Sequence, residues 1–143
     1  LILLPDQVFA YYPDDYVLFA IKDEATQGMS SRTKTFFTDR GSWLGKILFQ
    51  SSYAGIWRDS LLLNEESAKL KAVQLDTTLA GSTIHLESAG MASGNYVHML
   101  VEGHELANQD RGLHVVILSP EGTLVTTGYG DLYQSRYLIM RSD

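Results

Sequence analysis

The chain has no cysteine among its 143 residues. That absence removes disulfides, thiolate metal sites and cysteine nucleophiles together. It leaves the compartment open, because an extracellular domain of this size folds without disulfides. Positive charge is also scarce: 11 Lys and Arg, scattered along the chain, stand against 17 Asp and Glu, for a net charge of -6. A nucleic-acid surface needs cations clustered along the phosphate track, and an anionic lipid surface needs a polybasic stretch. No nucleic-acid partner is therefore expected. No apolar run reaches the ~18–20 residues of a membrane-spanning helix, so no membrane span is expected either. The leading Leu1-Ile2-Leu3-Leu4-Pro5 carries no basic residue and is too short for a secretory signal.

Catalytic signatures are missing as well. There is no Gly-x-Ser-x-Gly elbow, no Walker-type or dinucleotide glycine motif, and no His-Glu-x-x-His pair. The histidines are His85, His98, His104 and His114; His98 and His104 straddle a predicted hairpin, but zinc needs three or four ligands. No cofactor and no metal are implied, and no enzymatic activity is expected.

What is present is mostly β-patterned, over a length that suits one domain, 1–143. Tyr16 to Lys22 is rich in β-branched and aromatic residues and follows the turn-like Pro13-Asp14-Asp15, so it reads as a buried strand. Ser30 and Ser31 can cap a short helix to about Asp39, with Phe36 and Phe37 facing inward and Gly41 as its left-handed stop. Lys46 to Trp57 reads as a second β region, and Asp59 to Lys71 as a connecting helix or loop. Ser82 to Glu87 alternates in polarity. Asn95 to Val101 and Glu105-Leu106 flank the tight-turn pair Glu102-Gly103; Leu113 to Leu118 and Thr123 to Tyr129 flank Ser119-Pro120-Glu121-Gly122. Tyr137 to Met140 suits a last strand. The expected fold is α+β and mostly β: a two-layer antiparallel β-sandwich-like domain with one or two short flanking helices.

Several side chains invite a functional reading beside a plain one. Asp23 and Glu24 follow the first long strand, where carboxylates can accept hydrogen bonds from sugar hydroxyls or simply form an acidic turn before a helix. Arg111 and Asp131 can pair as guanidinium fork and carboxylate, with Gly112 allowing a bulge or close approach. Tyr133 and Tyr137 share a face if their segment is extended; exposed they offer a stacking platform, buried they are core. Trp43 and Trp57 pose the same alternative, and Trp43, in a predicted loop, is the better candidate for exposure.

Two stretches carry a resemblance. Residues 16–57 contain VLFAIKDEA (Val17 to Ala25), then Phe37, Gly41-Ser42 and Phe49-Gln50-Ser51-Ser52-Tyr53-Ala54. Residues 82–133 contain SAGMASGNYVHMLVEGHEL (Ser88 to Leu106), DRGLHVVILSPEGTLV (Asp110 to Val125) and YGDLY (Tyr129 to Tyr133). In combination these resemble the interleukin-like EMT-inducer domain family, found in cytokine-like secreted proteins, in a glycosyltransferase stem and in bacterial surface proteins. Residues 16–57 are similar to the family's C-terminal half and 82–133 to its N-terminal half, so the order here is reversed. The segment Arg58 to Gly81 then joins what are usually the two ends. Either a permuted domain closes on itself, or each chain's first half completes a neighbour's second half in a head-to-tail, fibre-forming exchange.

The resemblance implies a non-catalytic extracellular or cell-surface module that binds a glycan or a surface protein. The alternative is a self-associating structural subunit forming a homo-oligomer or polymer, to which Leu1–Leu4 could add as a strand. Asp23 matches the acidic position of the family's glycan site. Gln50 stands at the basic position, followed by Ser51 and Tyr53, and so keeps hydrogen bonding without the charge. The ligand candidates are Asp23, Glu24, Gln50, Tyr53 and Trp43, with Arg111, Gly112, Asp131 and Tyr133 as the structural motif.

Overall fold

A computed structural model describes residues 1–141. The first half runs β1 (Ile2–Leu3), α1 (Val8–Tyr11), β2 (Tyr16–Asp23), α2 (Ser31–Asp39), β3 (Ser52–Arg58) and β4 (Leu61–Ala68). Next come β5 (Val73–Leu79), β6 (Ser82–Gly90), β7 (Tyr96–Val101) and β8 (His104–Glu105). The last three strands are β9 (Gly112–Leu118), β10 (Leu124–Gly130) and β11 (Leu138–Met140). The fold is α+β and mostly β, as the patterning predicts. Among the described residues no helix is long and apolar enough to cross a membrane.

Strand β2 lies at the centre because it has an apolar partner on each side. Side chains alternate across a strand, so Val17, Phe19 and Ile21 enter one core and Leu18 and Ala20 the other. Its neighbour β9 divides in the same way, with Leu113, Val115 and Ile117 on the first face and Val116 and Leu118 on the second. The two strands pair antiparallel over seven positions, from Tyr16 opposite Leu118 to Lys22 opposite Gly112. Burial on both faces is what a nearly unbroken apolar run such as VLFAI requires.

Helix α2 covers the first face. Ser30 caps it by accepting the Thr33 N–H at 3.2 Å, and Gly41 leaves it at φ +76°. Phe37 points into a cluster of rings with Phe9, Phe19 and Trp57, whereas Phe36 sits at its rim beneath the Arg40 guanidinium, 3.6 Å from the ring centroid. Asp6 is buried between the first turn and this helix, accepting from Thr33 Oγ1 at 2.6 Å and Arg32 Nε at 3.0 Å.

The second face is covered by strands. The sheet forks near Ile21: Tyr16 to Ala20 of β2 pair with β3, while Lys22 and Asp23 pair with Ala89 and Gly90 of β6. Ser88 stands at the fork, its hydroxyl accepting the Tyr53 N–H at 2.8 Å and donating to the Ile21 carbonyl. Beyond it β5, β6 and β7 fold back, and Leu75, Ile84, Leu86, Val97 and Met99 pack against the second face. This makes the sandwich-like layering. Tight turns at Ala80-Gly81 and Glu102-Gly103, all with positive φ, fit type I′ hairpins.

Four details differ from the sequence reading. The β region expected from Lys46 starts only at Ser52, because Gln50 is left-handed and residues 43–45 form a 3-10 turn. Residues Asp59 to Lys71 hold strand β4, not a helix or loop, and β5 follows inside the joining segment. The β2–β6 contact is parallel, so the sheet is mixed rather than purely antiparallel. Ile2 and Leu3 pair with Ile139 and Leu138 of their own chain, so the leading residues need no neighbour to be paired.

The outer face of the second layer carries a pH-sensitive contact. His85 lies between Asp76 and Glu87, and its hydrogen bonds to Asp76 and then Glu87 raise its pKa despite some desolvation. A folded pKa above the unfolded value of about 6.5 means the contribution is complete below that value and disappears as pH rises through the folded pKa. The Tm difference between wild type and His85→Ala should therefore be wider at pH 5 than at pH 8.5. Equal differences at the two pH values would show that this contact does not titrate with folding.

Candidate functional site

Five chain segments come together at one end of the sheet. They are the end of β2, the start of β9, the end of β6, the loop before β3 and the turn after β10. The backbone bends sharply here, and Asp23 (φ +66°), Gln50 (φ +61°) and Gly112 (φ +135°) are all left-handed. At Gly112 a side chain is excluded on two counts: the φ is hostile to L-residues, and a Cβ would lie 2.2 Å from the Gly130 carbonyl oxygen. Close approach of β9 to the turn after β10 follows from that glycine.

Arg111, one residue earlier, turns outward and forks onto Asp131. Its Nε donates to Oδ1 at 3.1 Å and its Nη2 to Oδ2 at 2.8 Å. The same guanidinium lies 4.4 Å above the Tyr133 ring, and the Tyr133 N–H donates to Asp131 Oδ1 at 3.2 Å. Phe49 stands next to Tyr133 with ring centroids 6.2 Å apart, and both rings are exposed. The fork holds the Asp131 carboxyl below the usual carboxylate range and Arg111 above its ordinary value. Asp23 adds a second negative charge that Arg111 senses. Beneath, the Tyr129 hydroxyl donates to the Arg111 carbonyl and is pushed up to about 12, by burial first and then by the nearby Asp131.

Glu24 and Tyr53 support this surface rather than belong to it. Glu24 is 1% exposed, and its carboxylate accepts from Thr26 N–H and Oγ1, both at 2.7 Å, from Gln27 N–H at 2.9 Å and from Gln50 N–H at 3.1 Å. It latches the loop after β2 to the loop carrying Phe49 and Gln50. Tyr53 is fully buried and donates to Glu65 at 2.7 Å; burial, then the charge of Glu65, pushes its hydroxyl well above the ordinary value. Neither side chain can meet a ligand, which corrects their place among the ligand candidates.

Gln50 remains at the surface, its amide Nε2 2.8 Å from Met91 Sδ. Its carbonyl lies so near Gly90 that any Cβ there would be 1.9 Å away. Trp43 is exposed as its loop position suggests, but it walls a different cleft of 220 Å³ with Lys46, Leu48 and Lys69. The structure thus gathers Asp23, Gln50, Arg111, Asp131 and Tyr133, and leaves Trp43 out. Sequence reasoning missed Phe49 and Met91, exposed at 45% and 54%. Phe49 falls inside a predicted strand, and Met91 lies within the Ser88 to Leu106 stretch with no signal of its own.

The arrangement offers both hydrogen-bonding signs beside two open rings. Carboxylates accept, the guanidinium and Gln50 amide donate, and the rings present flat apolar faces. Among the described residues no group of three or more His, Asp and Glu is placed to hold a metal ion. No protein-family model, curated protein or solved structure matches the chain.

Proposed function

We propose that this domain is a non-catalytic recognition module that binds a glycan at the Arg111–Tyr133–Phe49 patch, outside the cell or at its surface. One observation carries the reading: a guanidinium fixed by a carboxylate fork lies against an exposed tyrosine, with a second exposed ring beside it. Fixed polar groups next to flat apolar faces suit a ligand whose hydroxyls lie around an apolar ring. A fork already formed loses little freedom when the ligand arrives. The resemblance to the interleukin-like EMT-inducer family supports the same site, because Asp23 matches its acidic position. Where Gln50 lacks the family's positive charge, Arg111 supplies one from the position just before β9, close enough to feel the charge of Asp23.

The test is a glycan array probed with the whole chain, followed by calorimetry on the best binder. Tyr133→Ala and Arg111→Ala should each weaken binding about tenfold or more, the size expected of an anchoring contact. Both residues lie at the surface, so thermal unfolding should change little. A binder unaffected by either change, or no glycan bound at all, would overturn the proposal; in the second case a protein surface becomes the partner to seek.

A second reading, self-association, is favoured by strand β4. It pairs with β3 on one edge, and Leu61 and Leu63 are exposed at 65% and 52%. Such an edge can add a strand from another copy. The stretches 16–57 and 82–133 pair along β2 and β9, and a copy docked on the β4 edge would leave that pairing in place. A monomer at micromolar concentration by mass photometry would dismiss this reading.

A further inference from the structure

We propose that the glycan patch is one end of a longer binding trough, and that its ligand is a linear oligosaccharide laid across β10 and β11 rather than a single terminal sugar. This rests on the glycan reading of the patch. The returning layer of β5, β6 and β7 packs over β2, β3 and β9, and no residue of β10 or β11 enters that core. One face of these last strands is left open. Residues 105–108, after β7, stand beside it as a wall.

Three adjoining clefts occupy this space. The middle one, of 310 Å³, is lined by Glu105, Asn108, His114, Thr127, Tyr129 and Arg141. It shares Glu105, Leu106, Thr127 and Arg141 with a cleft of 250 Å³ that reaches Leu124. At the other end it shares Tyr129 and Ile139 with one of 330 Å³ that reaches Tyr137 and Asp131. The trough therefore reaches Asp131, the residue that Arg111 grips. From Leu124 to Tyr129 it extends roughly 16 Å, at about 3.3 Å per strand residue, which exceeds one sugar ring.

The lining selects the class of ligand. Among the described residues β10 is hydrogen-bonded to β9 and, at Gly128 and Tyr129, to β11, which pairs in turn with β1, so this part of the floor offers no free backbone edge for a peptide strand to join. Recognition must come from side chains. Glu105 accepts, and stays ionised because the Met99 N–H and His98 outweigh its partial burial. His114 donates from Nε2 to the Asp110 carbonyl at 2.9 Å and is only 2% exposed, so it shapes the floor rather than meeting a ligand. Asn108, Thr127 and Arg141 donate, and Tyr129 and Tyr137 add ring faces. A chain bearing hydroxyls along its length satisfies such a mixture; an apolar chain does not.

The experiment is a length series of glucan-, mannan-, chitin- and uronate-type oligosaccharides, from single sugars upward, titrated into the whole chain by calorimetry. Wild-type affinity should climb about tenfold or more between disaccharide and long oligomer. Asn108→Ala combined with Arg141→Ala, both exposed positions, should flatten that climb. Tyr133→Ala should instead lower affinity at every length and keep the climb. Binding independent of length, or a climb indifferent to the double variant, overturns the trough and leaves the patch standing. No binding of any oligomer overturns both.

Discussion

Glu24→Ala is expected to destabilise the fold by about 3–5 kcal/mol in urea unfolding, since two hydrogen bonds to a charged group at roughly 1.5–3 kcal/mol each already reach that sum. The carboxylate receives four donors from three residues and is almost wholly out of water. Alanine leaves the N–H groups of Thr26, Gln27 and Gln50 without that acceptor. Glu24→Gln keeps the shape but loses the charge and turns an amide N–H₂ toward those donors, so its cost should be smaller. Because Gln50 follows Phe49, the same change should also weaken glycan binding, though Glu24 touches no ligand. A loss under about 1 kcal/mol, within the range of an ordinary neutral bond, would mean that water replaces the carboxylate and the latch is not structural.

Phe37→Ala should cost about 3–5 kcal/mol, the range for removing a buried phenyl ring from a packed core. Its centroid lies 5.2 Å from that of Phe36, 5.3 Å from Trp57, 5.9 Å from Phe19 and 6.3 Å from Phe9. Four rings surround the cavity that alanine would leave, and they are anchored on four elements, so collapse into it is limited. Phe36→Ala serves as the control. That ring is only partly buried and covered by Arg40, so its loss should be well under half as large. Similar unfolding midpoints for the two variants would contradict this account of the core.

Much of the fold was legible because local signals agreed with the tertiary outcome. VLFAIK is buried on both faces, Ser30 and Gly41 bracket α2, and Glu102-Gly103 forms its predicted tight turn. Strand β4 was not legible, for a physical reason. A bulge at Leu63, opposite Ile56 and Trp57, shifts its register, its Leu61 and Leu63 face water, and Glu65 turns inward to meet Tyr53. Polarity along it therefore follows no period of two. The β5 stretch does alternate, with Val73 and Leu75 inward against Gln74 and Asp76, but it was read as part of a connection.

The site divides in the same way. Arg111 and Asp131 pair as residue chemistry suggests, and Asp23 and Gln50 stand at the surface beside them. Burial is what sequence could not supply: it removes Glu24 and Tyr53 from ligand contact and leaves Phe49 and Met91 in the open. Nor could spacing say that Trp43, some six residues before Phe49, would open onto a separate cleft. The length of the trough depends on where the returning layer stops, which only the packed sheet determines.

The most direct test of the glycan patch is amide NMR on the ¹⁵N-labelled chain during titration with the strongest binder from the array. Shifts should concentrate at Asp23, Phe49, Gln50, Arg111, Asp131 and Tyr133, and reach Thr127 and Arg141 as the oligomer lengthens. Shifts gathered instead around Trp43 and Lys46, or along Leu61 to Ala68, would contradict the proposed site.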